Sequence, residues 1–143
     1  MTEHIVRHEF AIGEKAQLSR TVGDADIWRM AEITGDFNPI HVDEAFAKES
    51  RFSGRIAHGM FSAGLISAVL GTKLPGPGAI YLQQTLVFLQ PAFAGDILTA
   101  EVEVTAWHTH KHIVELSTTC SNGDGKLVLT GNATLLIDTR AQR

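Results

Sequence analysis

Met60-Phe61-Ser62-Ala63-Gly64-Leu65-Ile66-Ser67-Ala68-Val69-Leu70 is the stretch on which the fold turns. Phe61, Ala63, Leu65, Ile66, Ala68, Val69 and Leu70 fall on every face of a helix, and the polar interruptions are Ser62 and Ser67. A helix that is apolar all round is one that other elements surround, so the pattern predicts a buried central helix. Gly71 supplies a stop, and Pro75-Gly76-Pro77-Gly78 forbids continuation.

The chain changes character near residue 78, and strands follow. Ile80 to Leu89 is long and β-rich, and Pro91 stops it. From Ile97 to Trp107, Leu98, Ala100, Val102, Val104 and Ala106 alternate with Thr99, Glu101, Glu103 and Thr105, which predicts one wet face. Ile113 to Cys120 comes next, and Asn122-Gly123-Asp124-Gly125 is a strong hairpin signal before a last strand, Leu127 to Ile137. Ala16, Leu18, Thr21 and Val22 supply an earlier edge strand. Between that edge and the central helix, Asp24 is read as the cap of a helix. Its apolar positions are Ile27, Met30, Ala31 and either Ile33 or Thr34, and it ends at Gly35. A short helix, Glu44 to Lys48, follows Asp43. Antiparallel strands cannot leave their apolar face bare, so the expected architecture is α+β, an antiparallel sheet wrapped around the one fully apolar helix.

Composition narrows the function. The 143 residues read as a single domain spanning 1–143, with 44% apolar and 20% charged residues, as expected of a soluble globule. Sixteen acidic against 12 basic residues, a net charge of −4, leave no electrostatic footprint for nucleic acid. The single Cys120 excludes an internal disulfide and a thiolate metal cage built from one chain. Glu3, His4, Arg7, His8 and Glu9 make the N-terminus too charged for a secretory signal, and no stretch reaches the roughly 18 apolar residues of a membrane helix. The expectation is a cytoplasmic protein with no membrane partner.

The densest polar cluster is Gly35-Asp36-Phe37-Asn38-Pro39-Ile40-His41-Val42-Asp43. Asp36 and His41, five apart, fall on different faces of either a helix or a strand. They converge only if the segment between them is irregular, and Asn38-Pro39 makes it so. A carboxylate and an imidazole aimed at one small volume are the minimum equipment for acid–base work on a water molecule. The alternative is a plain turn with Asp43 capping the next helix. Ala57-His58-Gly59-Met60 opens the buried helix, where amides lack internal partners and the dipole is positive. Gly59 N–H could therefore stabilise a developing oxyanion, a donor worth about 2.7–4 kcal/mol elsewhere. Alternatively, Gly59 only eases a tight start to the helix and His58 is structural. Ser67 faces an apolar interior in this reading, and its simplest role is a hydroxyl bonded to the Ala63 carbonyl.

Other features carry less. His108, His110 and His112 alternate, but Thr109 and Lys111 interrupt them where a hairpin should turn, so no metal site is expected. Cys120 reads as a packed thiol, and Gly71 to Gly78 lacks the Lys-Ser/Thr ending of a phosphate loop.

Thr34-Gly35-Asp36-Phe37-Asn38-Pro39-Ile40-His41, with Ala47 following, resembles the hydratase-2 motif of MaoC-like (R)-specific enoyl-CoA hydratases. The resemblance continues through Ala57-His58-Gly59-Met60, Leu74-Pro75-Gly76 with Ile80-Tyr81, and Phe93-Ala94-Gly95-Asp96, and covers Ala16 to about Leu136. It implies a hot-dog fold, a homodimer whose sheets join edge to edge, and a substrate tunnel near the subunit interface. The substrate implied is a trans-2-enoyl-CoA hydrated to an (R)-3-hydroxyacyl-CoA, with no cofactor beyond the CoA of the substrate. By that match Asp36 and His41 activate water, Gly59 N–H is the oxyanion donor, Ser67 is the supporting serine, and Asn38 braces the loop. Asp36 then needs an apolar setting to be an effective base, for which Phe37, Phe61 and Met60 are candidates. Lys73, Arg51 and Arg55 are either contacts for CoA phosphates or plain surface charges. Two rivals are an acyl-CoA thioesterase, which usually places a carboxylate on the central helix where Met60 to Leu70 has none, and a non-catalytic acyl-CoA-binding subunit.

Overall fold

Residues 3–140 are described by a computed structural model of the chain. Its elements are β1 (Lys15–Thr21), α1 (Asp24–Thr34), α2 (Pro39–Val42), α3 (Glu44–Lys48), α4 (Gly59–Thr72), β2 (Ala79–Gln84), β3 (Val87–Phe88), β4 (Ile97–His108), β5 (Ile113–Ser121) and β6 (Leu127–Ile137). The strands form one antiparallel sheet in the order β1-β4-β5-β6-β2, and β3 also pairs with β6. Among the described residues, no helix is long and apolar enough to cross a membrane.

The alternation along the strands builds the core. Leu98, Ala100, Val102 and Val104 of β4, Val114, Leu116 and Cys120 of β5, and Ala133, Leu135 and Ile137 of β6 are buried. They form one cluster with Ala63, Leu65, Ile66, Val69 and Leu70 of α4. Each Leu, Ile or Val taken fully out of water contributes about 1.5–3 kcal/mol, so the central helix and the inner sheet face hold one another in place. This is the expected α+β arrangement.

Four local differences have clear causes. First, α4 is not surrounded: Met60, Gly64, Ser67 and Gly71, at helical spacing, are exposed. The helix also runs one residue past Gly71, to Thr72, and closes with Lys73 N–H on the Val69 carbonyl. Second, Gly23 rather than Asp24 caps α1. The Asp26 carboxylate accepts from Gly23 N–H at 2.9 Å, and that bond together with the guanidinium of Arg20 holds Asp26 below the usual carboxylate range. Ile27 and Ala31 face the core, whereas Ile33 is 82% exposed. Third, Thr105 of β4 is an extra residue: Val104 pairs with Leu116 but Ala106 pairs with Glu115. The bulge flips the alternation, and Trp107 instead of Ala106 packs against the core, its ring 5.1 Å from that of Phe10. The hairpin at residues 122–125 forms as its residues predict, with Asn122 Oδ1 accepting from Asp124 N–H and Lys126 N–H at 3.0 Å each.

Fourth, the strand expected over Ile80 to Leu89 is broken. β2 pairs with residues 133–137 of β6 and β3 with Leu129 and Thr130, so the two follow one another along one side of β6. At the break, Thr85 N–H donates to the Asn132 carbonyl at 2.9 Å and Thr85 Oγ1 accepts from Asn132 N–H at 2.9 Å. Gly131 makes this possible: a Cβ there would lie 1.8 Å from the Thr85 carbonyl oxygen. Backbone cannot yield as a side chain can. Gly131→Ala should therefore cost at least about 1–3 kcal/mol of unfolding free energy, measured by urea denaturation.

Candidate active site

The loop between α1 and α2 is shaped by its own side chains. Gly35, at φ 79°, ends α1, and its N–H donates to the Ala31 carbonyl. Thr34 Oγ1 donates back to the Met30 carbonyl at 2.6 Å and accepts from Asp36 N–H at 3.1 Å. Asp36 Oδ1 accepts from Asn38 N–H at 3.1 Å, and Asn38 Oδ1 accepts from Ile40 N–H at 3.2 Å. These are consecutive Asx turns, and Pro39 can start α2 because its missing donor is not needed there. Asn38 thus caps the first turn of α2 with its side-chain oxygen.

His41, buried, lies in the last turn of α2, with Nδ1 2.7 Å from the Ile56 carbonyl oxygen. A carbonyl only accepts, so Nδ1 holds the proton and a neutral ring presents a lone pair at Nε2. His58 caps the start of α4 and is 3% exposed. Its Nε2 is 2.9 Å from the Asp36 carbonyl oxygen, so here Nε2 holds the proton, and the buried Nδ1 has no protein partner. The two imidazoles stack with centroids 3.8 Å apart and planes 26° apart. Asp36, His41 and His58 each offer one carboxylate oxygen or ring nitrogen, and these atoms lie within 4.8 Å of one another. The convergence required of Asp36 and His41 is present. The same three groups could ligate a cation, although His41 Nδ1 and His58 Nε2 are committed to carbonyls and leave one nitrogen each.

A short strap, residues 55–57, places this cluster against the sheet. Ile56 N–H donates to the Ile40 carbonyl at 3.2 Å, Ala57 N–H donates to the Ala92 carbonyl at 2.7 Å, and Ile56 bridges Phe93. Gly59 then begins α4, where its N–H has no partner four residues back and meets the positive end of the helix dipole. A Cβ at Gly59 would lie 2.6 Å from Cε1 of Phe88, so a larger residue there would have to push aside the ring that β3 lays over the start of α4. His58, Gly59, Ser62, Phe88 and Arg51 border a cleft of about 560 Å³. A second cleft, about 600 Å³, lies along the exposed face of α4 and is bordered by Thr34, Met60, Gly64, Ser67 and Tyr81.

Several expectations are corrected. Ser67 does not face the interior; it is exposed on the second cleft, and Ser62 is the buried serine of α4. The Ser62 hydroxyl hydrogen-bonds the Cys120 thiol, which burial pushes up to about 11. Asp36 is exposed, and Phe37 and Met60 are 51% and 56% exposed, so one chain does not provide the apolar setting sought for the carboxylate. Arg55 is no free surface charge: it pairs with Asp24 at 2.5 Å and Glu44 at 3.0 Å, and both hold its guanidinium more firmly protonated than usual. Lys73 Nζ donates to the Gln17 carbonyl, while Arg51 lies over the Phe52 ring at the mouth of the first cleft. His108 pairs with Glu115, and no donor cluster including His110 or His112 forms among the described residues. Sequence reasoning missed the Ile56 carbonyl, the bond from Arg55 to the His41 carbonyl, and Phe88, because each acts through a backbone atom or a long-range contact that residue type does not announce.

Comparison with known proteins places this geometry. Residues 9–123 match the MaoC like domain family. An (R)-specific enoyl-CoA hydratase of Rhodospirillum rubrum is 48% identical over 128 residues, 90% of this chain and 88% of that protein. A 3-hydroxybutyryl-CoA dehydratase of Methylorubrum extorquens is 45% identical over 134 residues, 94% and 85% of the two chains. The solved (R)-hydratase of A. caviae superposes with a TM-score of 0.87 at 44% identity, covering 92% of this chain and 99% of that one. The sheet wrapped around α4 is accordingly the hot-dog fold, and the chain belongs to the MaoC-like domain family.

Proposed function

We infer that the chain is an (R)-specific enoyl-CoA hydratase, adding water across the double bond of a trans-2-enoyl-CoA to give an (R)-3-hydroxyacyl-CoA and catalysing the reverse dehydration. The observation that carries the reading is the convergence of Asp36 with His41 and His58 within 4.8 Å, beside the first amide of α4. Relatives of 45–48% identity named for this hydration or its reversal support it.

The chemistry follows from what each group can accept or donate. Carbon 3 of the enoyl thioester is electrophilic because the carbonyl withdraws electrons. A water in the site points one O–H at the Asp36 carboxylate and the other at the lone pair of His41 Nε2. Asp36 takes a proton as the water oxygen bonds carbon 3, and the C2=C3 pair moves toward the thioester, placing negative charge on its oxygen. Gly59 N–H meets that oxygen, aided by the helix terminus. The enolate collapses, carbon 2 takes a proton from the Asp36–His41 pair, and the site returns to its starting charge. His58 serves by holding the Asp36 carbonyl and by stacking on His41. Ser67 and the second cleft support the acyl side of the substrate, and Arg51 is the cation suited to the CoA phosphates. A thioesterase reading finds no carboxylate on α4.

The assembly we propose is a homodimer, in the cytoplasm. One sheet edge, β1, is polar and carries Lys15, Gln17, Ser19 and Arg20, which discourages pairing. The other edge, β2 with β3, exposes Ile80, Leu82, Val87, Phe88 and Leu89. Two copies joined there would extend the sheet and bury the patch. A second copy would also remove water from around Asp36.

Three measurements test this reading. Incubation with crotonyl-CoA should consume the enoyl absorbance, release no free thiol and yield the (R)-3-hydroxy product on chiral analysis; Asp36→Asn should lower the turnover by about 10²-fold or more with folding intact. Exhaustive chelation with EDTA should leave the rate unchanged, whereas loss of activity restored by a divalent metal would mean that the Asp36–His41–His58 cluster works as a metal centre. Light scattering should give twice the chain mass, and Leu82→Arg on the apolar edge should shift it to the monomer.

A further inference from the structure

We propose that Arg55 is a positioning residue for His41, acting through the His41 backbone carbonyl. The inference rests on the reading of His41 as the acceptor that holds the reacting water. It deepens that reading by naming what keeps the imidazole in place.

Arg55 reaches three elements at once. Its NH1 donates to the His41 carbonyl at 3.1 Å, its Nε to Glu44 Oε2 at 3.0 Å, and its NH2 to Asp24 Oδ1 at 2.5 Å. Glu44 opens α3, Asp24 opens α1, and His41 is in the last turn of α2. The side chain is 19% exposed, but its two carboxylate partners are 55% and 67% exposed. Ion pairs so wet contribute little to stability, a median of about 0–1 kcal/mol each. What they do is aim a rigid fork. A planar guanidinium has donors in fixed directions, so two carboxylates that hold two of its edges direct the third at the carbonyl.

The next residue completes the grip. Ile56 accepts from the His41 ring at Nδ1, and Arg55 donates to the His41 main chain. Residue 41 is therefore held at both ends, ring and carbonyl, by two consecutive residues of one strap. α2 needs this, because four residues are too few for a helix to hold itself. Arg55 also cannot serve as a ready phosphate ligand, since two carboxylates already face its single charge.

The test uses Arg55→Met, which keeps the bulk of the stem, and Arg55→Lys, which keeps the charge but not the fork. Turnover of crotonyl-CoA should fall about tenfold or more in both variants, the scale expected of a misplaced reacting group. KM should stay within about twofold, as for loss of an interaction that matters only at the chemical step. A readout independent of activity is the His41 Nδ1–H resonance in proton NMR, protected in the parent by its bond to Ile56; in both variants it should broaden or exchange at least about tenfold faster with solvent. If the NMR change occurs in a protein that does not hydrate enoyl-CoA, the positioning role stands and the functional reading falls. Should Arg55→Met fail to fold, Arg55→Lys decides alone. A parent-like turnover and resonance in a folded variant overturn the proposal. So does a KM rise seen with crotonyl-CoA but not with crotonyl-pantetheine, which would assign Arg55 to the CoA phosphates.

Discussion

One hydrogen bond, from Nδ1–H of His41 to the carbonyl of Ile56, ties the helical segment of residues 24–48 to the strap that meets the sheet. Ile56 bridges Phe93, and Ala57 bonds the Ala92 carbonyl, so the imidazole is anchored to chain that leads directly into β4. The same bond settles the chemistry of the ring. Because a carbonyl can only accept, it fixes a proton on Nδ1, so that the lone pair of a neutral ring is on Nε2. His58 is fixed in the opposite tautomer by the Asp36 carbonyl. Two stacked rings with opposite proton positions, both set by main-chain oxygens, make a site whose protonation pattern follows from backbone geometry.

The second half of the site is fixed by packing instead. Ile66, Val69 and Leu70 of α4 are at most 1% exposed, seated on the inner face of β4, β5 and β6. A helix buried to that degree does not shift without opening a cavity, so its first amide is oriented when the protein folds and not when substrate arrives. The site thus joins a rigid donor on a core helix to a loop dyad that needs explicit bracing. The Asx turns of Asp36 and Asn38 provide that bracing from one side and the strap at residues 55–57 from the other.

Much of this is legible in the residues. The apolar run from Met60 to Leu70 announces the central helix, strand alternation announces the sheet, and Asn38-Pro39 announces the irregular segment that lets Asp36 meet His41. The misreadings share a cause. Ser62 and Ser67 are the same residue type on one helix, and a run apolar on all sides says nothing about which serine turns inward. The single residue added at Thr105 reverses every position beyond it, yet threonine is an ordinary strand residue and gives no sign of a bulge. Likewise, Gly131 looks like a weak point in a strand until Thr85 is seen against it. The part Arg55 plays beside His41, and Ile56 altogether, escaped notice because what matters in them is a donor's direction and a main-chain oxygen.

The fate of the one cysteine in the chain bears on the substrate class. Cys120 is fully buried in β5, its hydrogen-bond partner is Ser62, and its thiol is pushed up to about 11. A thiolate within reach of a thioester carbonyl would capture the acyl group and expel CoA, which converts a hydratase into a self-acylating dead end. Behind the wall of α4 the thiol stays neutral and out of contact, so the C–S bond of an acyl-CoA is kept from this thiol while water adds at carbon 3.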